Sequence, residues 1–492
     1  MNSRPTSQVR QADPRRWKAL ALLGLAFFMV ILDATIVLTA IPSMQEELGF
    51  TVSGVQWVLT AYALTFAGLM LFFGRMADLL GRRRVFMAGL LLFVVSSLVC
   101  GLAWSAGVLV AARAVQGISA AIMAPTALSI VVSTFPDGAE RNKALGIWGA
   151  LGGVGATAGL LLGGVITSLL GWEWIFYINV PVGLAVLALC PLLVQESSEQ
   201  VSRRRFDVVG AATITVGPLL IAYAVIQAPE LGWGSPATIG MFVVAALVLG
   251  LFVLTESRSA APLVPLRIFR NRTLVGGNLL MLAVGLAVDG MLFPLTLYAQ
   301  QVLDYSAMQF GLMSAVMTGM SIAGAFAGQA LVTKLGVRPI AVGGMLLILA
   351  GALLLVPVSV GGTFLDDMFW GLLVFGPGMG ACFVAAQISA LTGVPEEESG
   401  LAAGLVDTLF NIGSALGIAI VTSVAVAVSR TAIAENGAPE SLAALNDGLR
   451  AAFAVAAVFA VFGLLVALFV LKRGTGVEKD TESSEEPAHS VG

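Results

Sequence analysis

The sequence predicts an all-α membrane protein with fourteen transmembrane helices, and three observations lead to this fold class. Of the 492 residues, 58% are hydrophobic and only 11% are charged, whereas soluble globular domains carry roughly 25% charged residues. Apolar runs of about 18 to 25 residues recur along the chain, each long enough to cross a hydrocarbon core roughly 30 Å thick as a helix. Positive charges concentrate on alternate loops between these runs. Together these features exclude a soluble enzyme.

The apolar runs form two blocks of six with two further runs between them. The first block covers 19–40, 55–73, 85–103, 107–132, 144–170 and 176–194. The central runs cover 208–228 and 237–254, and the second block covers 273–300, 308–332, 339–358, 368–391, 399–427 and 449–471. These runs predict two six-helix bundles, at 19–194 and 273–471, and two extra central helices at 208–254. The other segments are predicted as a cytoplasmic amino-terminal segment at 1–18, cytoplasmic linkers at 195–207 and 255–272, and a disordered acidic cytoplasmic tail at 472–492.

The Lys and Arg residues give the predicted orientation, because cytoplasmic loops carry an excess of them. Of the 26 Lys and Arg residues, 23 fall in segments on one side of the predicted membrane, which we assign to the cytoplasm. Arg430 and Arg450 lie in one loop on the opposite side, and Arg113 lies inside a run. We therefore expect a multi-pass protein of the cytoplasmic membrane with both termini in the cytoplasm.

The two blocks of six form an internal repeat. Residues 328–338, after the tenth run, loosely repeat the pattern of residues 74–84 after the second. Repeated six-helix halves build many secondary transporters, whose site lies at the midplane between two rocking bundles. No Gly-x-x-x-x-Gly-Lys-Ser/Thr loop occurs in the sequence, so we expect a proton gradient as the energy source instead of ATP, and no cofactor.

Cysteine and histidine usage excludes several kinds of site. Cys100, Cys190 and Cys382 lie inside apolar runs without Cys-x-x-Cys spacing, and the only histidine is His489 in the tail. We therefore expect no metal site and no disulfide framework. The expected partners are protons, a small amphipathic substrate and the lipid bilayer, without nucleic acid. A monomer is expected, because two pseudo-symmetric halves suffice for transport.

Four ionisable residues lie inside the predicted spans, where a charge costs about 2.5 to 3.5 kcal/mol on insertion scales. They are Asp33, Arg113, Asp289 and Asp407. A structural role in helix-to-helix ion pairs, or a place nearer the membrane surface, is the alternative for each. Arg113 keeps its charge and strongly favours an ionised carboxylate beside it, so we predict a pair between Asp33 and Arg113. We expect Asp33 to be a protonation site and Arg113 to modulate it.

The other two acids lie in the second block. Asp289 precedes Pro294 by five residues, and a proline frees backbone carbonyls that can face a polar cavity. Asp407, Asn411 and Ser414 recur at spacings of four and three residues, which places them on one helical face. This polar stripe predicts a surface towards a water-filled pathway. We expect Asp407 to be the second protonation site, and Asp289 and Asn411 to be secondary substrate or proton sites.

The loop after the second run combines glycines, one acid and several arginines. Its candidate residues are Gly74, Arg75, Asp78, Gly81, Arg82 and Arg83. The plain interpretation is a cytoplasmic loop that follows the positive-inside rule. Two glycines and one acid among the arginines also predict a tight, charge-paired turn that latches an inner gate.

The fifth run is rich in glycine, which lets helices approach closely. The glycines that recur along it include Gly146, Gly155, Gly159, Gly163 and Gly164. A loosely packed glycine-rich helix is the structural alternative, but a spacing of three to four residues makes one small-residue face. We predict a bending or packing helix at the interface between the halves.

These motifs resemble the major facilitator superfamily, and most closely its fourteen-span drug:proton antiporters of the quaternary-ammonium and multidrug exporter type. The resemblance covers nearly the whole chain. It rests on residues 74–84 after the second run, on Arg113, Gln116 and Gly117 in the fourth, and on 32–42 and 174–183 in the first and sixth. It implies the major facilitator fold and a link between Arg113 and proton coupling.

The resemblance also implies an antiporter motif in the fifth run. The five glycines named above keep the spacing of that motif, but Leu160 stands where the motif has a proline. Asp289 and Asp407 are not part of the family's general motifs, but similar multidrug exporters place acids in late helices for cationic substrates.

Three functions are open at this point. The first is a proton-coupled exporter of amphipathic drugs, antibiotics or lipophilic cations that works by alternating access. The second is a dedicated exporter of one metabolite on the same fold, such as a self-made antibiotic, a siderophore or a lipid. The third is a membrane sensor or scaffold that transports nothing, which would have little use for four embedded charges. No enzymatic activity is expected.

Overall fold

The computed structural model describes residues 15–50, 57–136, 138–196, 208–259, 262, 266–395, 398–436 and 442–471. Most of the predicted amino-terminal segment, most of the first linker and the whole predicted tail lie outside these residues. The described residues form helices and no strand. The first seven long helices are α1 Arg16–Ile36, α2 Trp57–Leu80, α3 Arg82–Gly101, α4 Ala106–Thr134, α5 Ala139–Leu170, α6 Asn179–Leu193 and α7 Val208–Leu231. The other seven are α8 Pro236–Arg258, α9 Arg272–Leu297, α10 Ala307–Leu335, α11 Val337–Leu354, α12 Phe369–Leu391, α13 Ser399–Asn436 and α14 Leu442–Phe469.

The length and composition of these helices fit a membrane protein. Thirteen helices in the described part of the chain are long and apolar enough to cross a membrane. The remaining long helix, α7, has 24 residues, with a shorter apolar stretch at Ala212–Val225. The predicted all-α fold of fourteen long helices is therefore confirmed. Helix α8 continues to Arg258 and so runs four residues into the segment 255–272 that we predicted as a linker.

Helix contacts within the second half repeat those of the first half. Helix α1 packs on α4, α5 and α6, while α2 and α3 pack on α4 and α3 also packs on α6. Adding eight to each number gives the contacts of the second half, in which α9 packs on α12, α13 and α14. Helices α10 and α11 pack on α12, and α11 also packs on α14. The internal repeat that the sequence indicates is therefore a repeat of two six-helix bundles.

Two pseudo-equivalent helix pairs join the bundles, α5 with α10 and α2 with α13. Glycine makes the second approach close, because a Cβ atom on Gly74 of α2 or on Gly400 of α13 would collide with the backbone of the other helix. In the first pair, a Cβ atom on Gly146 of α5 would lie 3.1 Å from Cβ of Gln329. Small residues therefore bring the two halves together, as in other membrane helix interfaces.

The two central helices lie beside one of these pairs. Helices α7 and α8 form a hairpin, and α7 packs on both α2 and α13. Leu219 of α7 lies against Gly68 of α2. In the α7–α8 loop, the Trp233 indole donates a hydrogen bond of 2.6 Å to the hydroxyl of Ser423 on α13. The hairpin therefore contacts both bundles.

Candidate functional site

Asp33 on α1 and Arg113 on α4 form an ion pair enclosed within the first bundle. Nη1 of Arg113 donates to Oδ2 of Asp33 over 2.6 Å, and both side chains are completely buried. Nε of Arg113 donates to the Val58 carbonyl over 3.1 Å. The guanidinium carbon lies 4.2 Å from the centroid of the Tyr62 ring, in a cation–π contact. The pair that the sequence predicts is therefore present, and α2 supplies two further contacts to its cation.

Two buried amides complete the hydrogen bonding of Asp33. Nε2 of Gln116 and Nδ2 of Asn179 donate to Oδ1 of Asp33 over 2.9 and 2.8 Å. The other amide atom of Gln116, Oε1, accepts from Arg113 over 2.7 Å, and its Nε2 also donates to Ser97 over 2.8 Å. Three N–H groups therefore donate to the Asp33 carboxylate, which suits an anion, since an ionised carboxyl group only accepts hydrogen bonds.

Sequence reasoning assigned no role to Ser97 or Asn179. Asn179 lies within the motif at 174–183, and this position was the one signal that pointed to it. Ser97 is a serine inside an apolar run, and such a residue most often bonds its own helix backbone. Five helices, α1, α2, α3, α4 and α6, contribute to the network around Asp33. Within the described part of the chain, Oδ2 accepts from Arg113 alone, whereas Oδ1 accepts from both amides, so the Asp33 carboxylate keeps a lone pair on Oδ2 that can take a proton.

Asp289 and Asp407 lie in the second bundle, on α9 and α13, and both residues are half-buried. The Ser414 hydroxyl forms a hydrogen bond with the Asp289 side chain. Among the described residues, none forms a hydrogen bond or an ion pair with the Asp407 carboxylate. The four embedded charges therefore divide into an enclosed pair in the first bundle and two acids in the second for which the described residues provide no cationic partner.

The predicted polar stripe on α13 is divided between two neighbours. Nδ2 of Asn411 donates to the backbone carbonyl of Asp407 over 2.8 Å and lies 3.5 Å from Sδ of Met70 on α2. Ser414 instead bonds Asp289 on α9. Asn411 therefore lies at the contact between the bundles and Ser414 lies inside the second bundle, so the stripe does not face one continuous pathway.

A cavity lies beside Pro294, the proline that follows Asp289 on α9. A cavity of about 200 Å³ lies between α9, α13 and α14, and its α9 wall consists of Phe293, Pro294 and Leu297. Its surface is almost entirely apolar, with Arg430 among its lining residues. The cavity beside Pro294 is therefore apolar, and Gly290, whose backbone carbonyl the proline frees, is not among its lining residues; a polar cavity that faces this carbonyl stays a prediction.

Asp78 links the two bundles at the end of the molecule that holds Arg82, Arg83 and Arg84, here called the arginine-rich end. Its Oδ1 and Oδ2 accept hydrogen bonds of 3.0 Å from the backbone N–H groups of Gly400 and Leu401, in the first turn of α13. Arg82 pairs with the same carboxylate at 3.2 Å, and both side chains are buried. A carboxylate at a helix N-terminus also complements the helix dipole.

The other predicted residues of this loop support the same contact. Gly74 lies against Gly400, and the Arg75 side chain is buried. Gly81 connects α2 and α3 with a φ of 97°, a conformation that favours glycine. Arg83 pairs with Glu196 at 3.5 Å. A second link across the bundles at this end joins the hydroxyls of Ser129 on α4 and Ser399 on α13 at 2.8 Å.

The glycines of the predicted motif in α5 face two neighbouring helices, α1 and α10. Gly155, Gly159 and Gly163 face α1, where added Cβ atoms would meet the backbone or side chains of residues 28–39. Gly146 faces Gln329 of α10, and a Cβ atom on Gly164 would lie 4.0 Å from Met308. Helix α5 is therefore a packing helix, but most of the predicted motif binds it to α1 of its own bundle, and only part of it faces the other half.

Comparison with known proteins gives consistent matches. The family described as Major Facilitator Superfamily matches residues 23–418. The puromycin resistance protein of Streptomyces alboniger is 36% identical, covering 96% of this chain and 94% of that protein. The cephamycin export protein of Amycolatopsis lactamdurans is 37% identical, covering 86% and 87%, and the tetracenomycin C resistance and export protein of Streptomyces glaucescens is 33% identical, covering 82% and 75%.

A solved structure resembles the fold. The crystal structure of the human organic anion transporter MFSD10 matches 92% of this chain and 100% of that chain, with a TM-score of 0.66 and 17% sequence identity. At this identity the match supports the fold alone.

Proposed function

Because the chain belongs to the major facilitator superfamily, we propose that it exports amphipathic drugs or antibiotics, including lipophilic cations, across the cytoplasmic membrane in exchange for protons. The chain is a multi-pass membrane transporter and not an enzyme. Its relatives with 33% to 37% identity include proteins named for antibiotic resistance and antibiotic export. This similarity over most of the chain is the observation that carries the export of drugs.

Proton exchange is supported by the different surroundings of the embedded acids. Asp33 accepts three hydrogen bonds and pairs with Arg113, whereas Asp407 has no cationic partner among the described residues. In the proposed mechanism, ionised Asp407 attracts a cationic substrate into the space between the bundles. Protonation of Asp33 removes its negative charge and so weakens its attraction to Arg113, which lets α1 and α4 shift against each other.

The contacts at the arginine-rich end provide the second part of the mechanism. With α2 bound to α13 through Asp78, the bundles are closed against each other at this end. Alternating access requires these contacts to separate, so that the opposite faces of the same cavity open in turn. We propose that the arginine-rich end is cytoplasmic, since it carries the positive charges that mark cytoplasmic loops.

A dedicated exporter of one metabolite is the second candidate. Puromycin, tetracenomycin C and cephamycin each appear in the name of one relative, which favours a transporter for a single antibiotic. The fold and the embedded charges are equally compatible with a narrow or a broad substrate range.

Efflux from a pump-deficient bacterial host distinguishes the two candidates. The host expresses the chain and receives a panel of cationic, neutral and anionic compounds, with and without an uncoupler. Uncoupler-sensitive efflux of several chemically unrelated compounds supports the multidrug exporter, and efflux of one structural class supports the dedicated exporter. Efflux of no compound, at a membrane level confirmed by immunoblot, contradicts both.

A further inference from the structure

Gln387 on α12 has a buried side-chain amide for which the described residues provide no hydrogen-bond partner. Its side chain is completely buried, and neither its Nε2 nor its Oε1 has a hydrogen-bond partner among the described residues. Ser389, two residues further on, is also buried, but its hydroxyl donates to the Thr273 carbonyl over 2.9 Å. Buried amides in folded proteins are almost always paired, because an unpaired one loses its hydrogen bonds to water without replacement.

Gln387 lies on the face of α12 that is directed towards the first bundle. Phe383 and Val384, one turn earlier on α12, face α5, since a Cβ atom on Gly149 would lie 3.2 Å from Phe383 and 3.3 Å from Val384. Residues three and four apart share a helical face. Gln387 therefore lies on the side of α12 that meets α5, one turn closer to the arginine-rich end.

The contact of α5 with α10 and α12, here called the seam, has features of a surface that separates. Near the arginine-rich end, Nδ2 of Asn142 on α5 donates to the Thr333 hydroxyl on α10 over 3.0 Å. A turn further in, Gly146 lies opposite Gln329. Polar groups that bond across this seam can bond to water when it opens, and Gly146 contributes no apolar side chain to the surface that becomes exposed.

We propose that Gln387 is a substrate-binding residue of the cavity that opens at the arginine-rich end, and that α5 covers it in the closed conformation described here. Its amide has two donor hydrogens and one acceptor oxygen, which suit the neutral hydrogen-bonding groups of a substrate, such as hydroxyls, amides and carbonyls. The proposal rests on the alternating access of the proposed function. It adds a polar contact to the acids Asp407 and Asp289, which attract charge.

Cysteine labelling tests whether the seam covers this position. In a chain with its three native cysteines replaced by serine, Gln387→Cys is exposed to a membrane-impermeant thiol reagent from the arginine-rich side in everted vesicles. We expect it to react at least tenfold faster than Ser389→Cys, measured by mass spectrometry. Oxidative cross-linking of Asn142→Cys to Thr333→Cys should reduce the rate at Gln387→Cys to that of Ser389→Cys.

Labelling at a third position, 329, distinguishes a failure of the proposal for Gln387 from a failure of alternating access. Gln329→Cys lies in the seam and should also react in a cross-link-dependent way. Cross-link-dependent labelling at position 329 without labelling at 387 above the Ser389→Cys rate overturns the role of Gln387 alone. If the cross-link changes the labelling rate of neither Gln329→Cys nor Gln387→Cys, the seam does not open, and this result contradicts both proposals.

Transport measurements test the binding role with a nearly isosteric variant. Gln387→Met removes the hydrogen-bonding groups and retains the volume. Puromycin carries hydroxyl and amide groups, whereas tetraphenylphosphonium carries no hydrogen-bonding group. We expect Gln387→Met to slow puromycin efflux at least fivefold relative to tetraphenylphosphonium efflux in the same cells. Equal slowing of both compounds overturns the binding role, and export of neither compound by the wild type contradicts the proposed function itself.

Discussion

At the scale of single residues, Asp33 and Arg113 form a buried ion pair in which each charge is compensated by the other. Arg113 has no exposed surface, and its only carboxylate partner among the described residues is Asp33. Breaking a buried pair by removing one partner leaves an uncompensated charge and costs about 3 to 5 kcal/mol. Changing either residue of this pair should therefore affect stability as well as the proposed proton coupling.

Asp33→Asn should lower both stability and transport. The amide removes the negative charge that pairs with Arg113, so we expect a lower Tm in detergent, from a cost of about 3 to 5 kcal/mol. Because Asp33 is the proposed protonation site, uncoupler-sensitive efflux should also fall at least tenfold. The double variant Asp33→Asn with Arg113→Gln removes both charges and should recover much of the Tm without recovering efflux. A double variant less stable than Asp33→Asn would show that Arg113 is not the partner that makes Asp33 essential.

Asp407→Asn should lower transport without lowering stability. No hydrogen bond or ion pair to the Asp407 carboxylate is found among the described residues, so its neutralisation should leave Tm unchanged, within roughly 0.5 kcal/mol of stability. Efflux of tetraphenylphosphonium should fall at least tenfold, while efflux of a neutral compound should fall less. A similar loss for cationic and neutral compounds would assign Asp407 to coupling instead of substrate attraction.

The sequence predicted part of this site for a physical reason. Asp33 and Arg113 are opposite charges in apolar helices, and each needs the other. Ser97 and Gln387 carry no such requirement, because a neutral polar residue in an apolar run can satisfy itself within its own helix. Their roles depend on which helix lies opposite, and this information exists only after the bundle has formed.

At the scale of helices, the Asp78 contact is a cap that one bundle places on a helix of the other. Asp78→Ala removes two hydrogen bonds to the start of α13 and the partner of Arg82. Loss of a helix cap alone costs about 0.5 to 2 kcal/mol, so the closed arrangement of the arginine-rich end should lose population. Distances between one spin label at an exposed position on α3 and one on α10 should therefore include a larger fraction of long distances in Asp78→Ala than in the wild type.

The control for this prediction is Arg84→Ala. Arg84 lies in the first turn of α3, close to Asp78 in sequence, but its side chain is 73% exposed and its ion pair within the described residues, with Glu196 at 3.6 Å, does not cross the bundles, so its removal should leave the distances unchanged. Asp78→Ala distances identical to those of the wild type would show that the cap does not hold the arginine-rich end closed.

Helix α5 offers a matched pair of glycines. A Cβ atom on Gly159 would lie 2.9 Å from the Leu32 carbonyl and 3.0 Å from the Ile36 amide, whereas the nearest atom to one on Gly153 is 4.0 Å away. Gly159→Ala should therefore force α1 and α5 apart and cost about 1 to 3 kcal/mol. Gly153→Ala should keep or slightly raise stability, since alanine favours helix. Equal Tm values for both variants would contradict the close packing of α1 on α5.

The helices themselves were largely predictable, and their exceptions have identifiable causes. Length and hydropathy mark a membrane helix, so the fourteen long helices follow from composition. A short helix at Ile41–Leu48, after a 3₁₀ turn at Val37–Thr39, was not predicted. Its Glu47 accepts a hydrogen bond of 3.0 Å from the Trp172 indole. Eight residues with mixed polarity give too weak a periodic signal, and tertiary contacts determine their structure.

At the scale of the whole molecule, the two interfaces between the bundles are equivalent in position and different in chemistry. In the repeat of residues 74–84 at 328–338, Val332 occupies the place of Asp78. The α2–α13 interface therefore has a charged cap, whereas the α5–α10 interface has the neutral bond from Asn142 to Thr333. Sequence repetition predicts the symmetry of the fold, but only residue differences between the repeats show where that symmetry is broken.

The most direct test of the account measures protons and substrate together. Purified wild type and Asp33→Asn are reconstituted into liposomes that contain a pH-sensitive dye, and tetraphenylphosphonium transport is followed at the same time. Wild-type substrate movement should be accompanied by proton movement in the opposite direction, and Asp33→Asn, reconstituted at equal protein level, should show neither. Substrate transport by the wild type without any proton movement would contradict proton-coupled export.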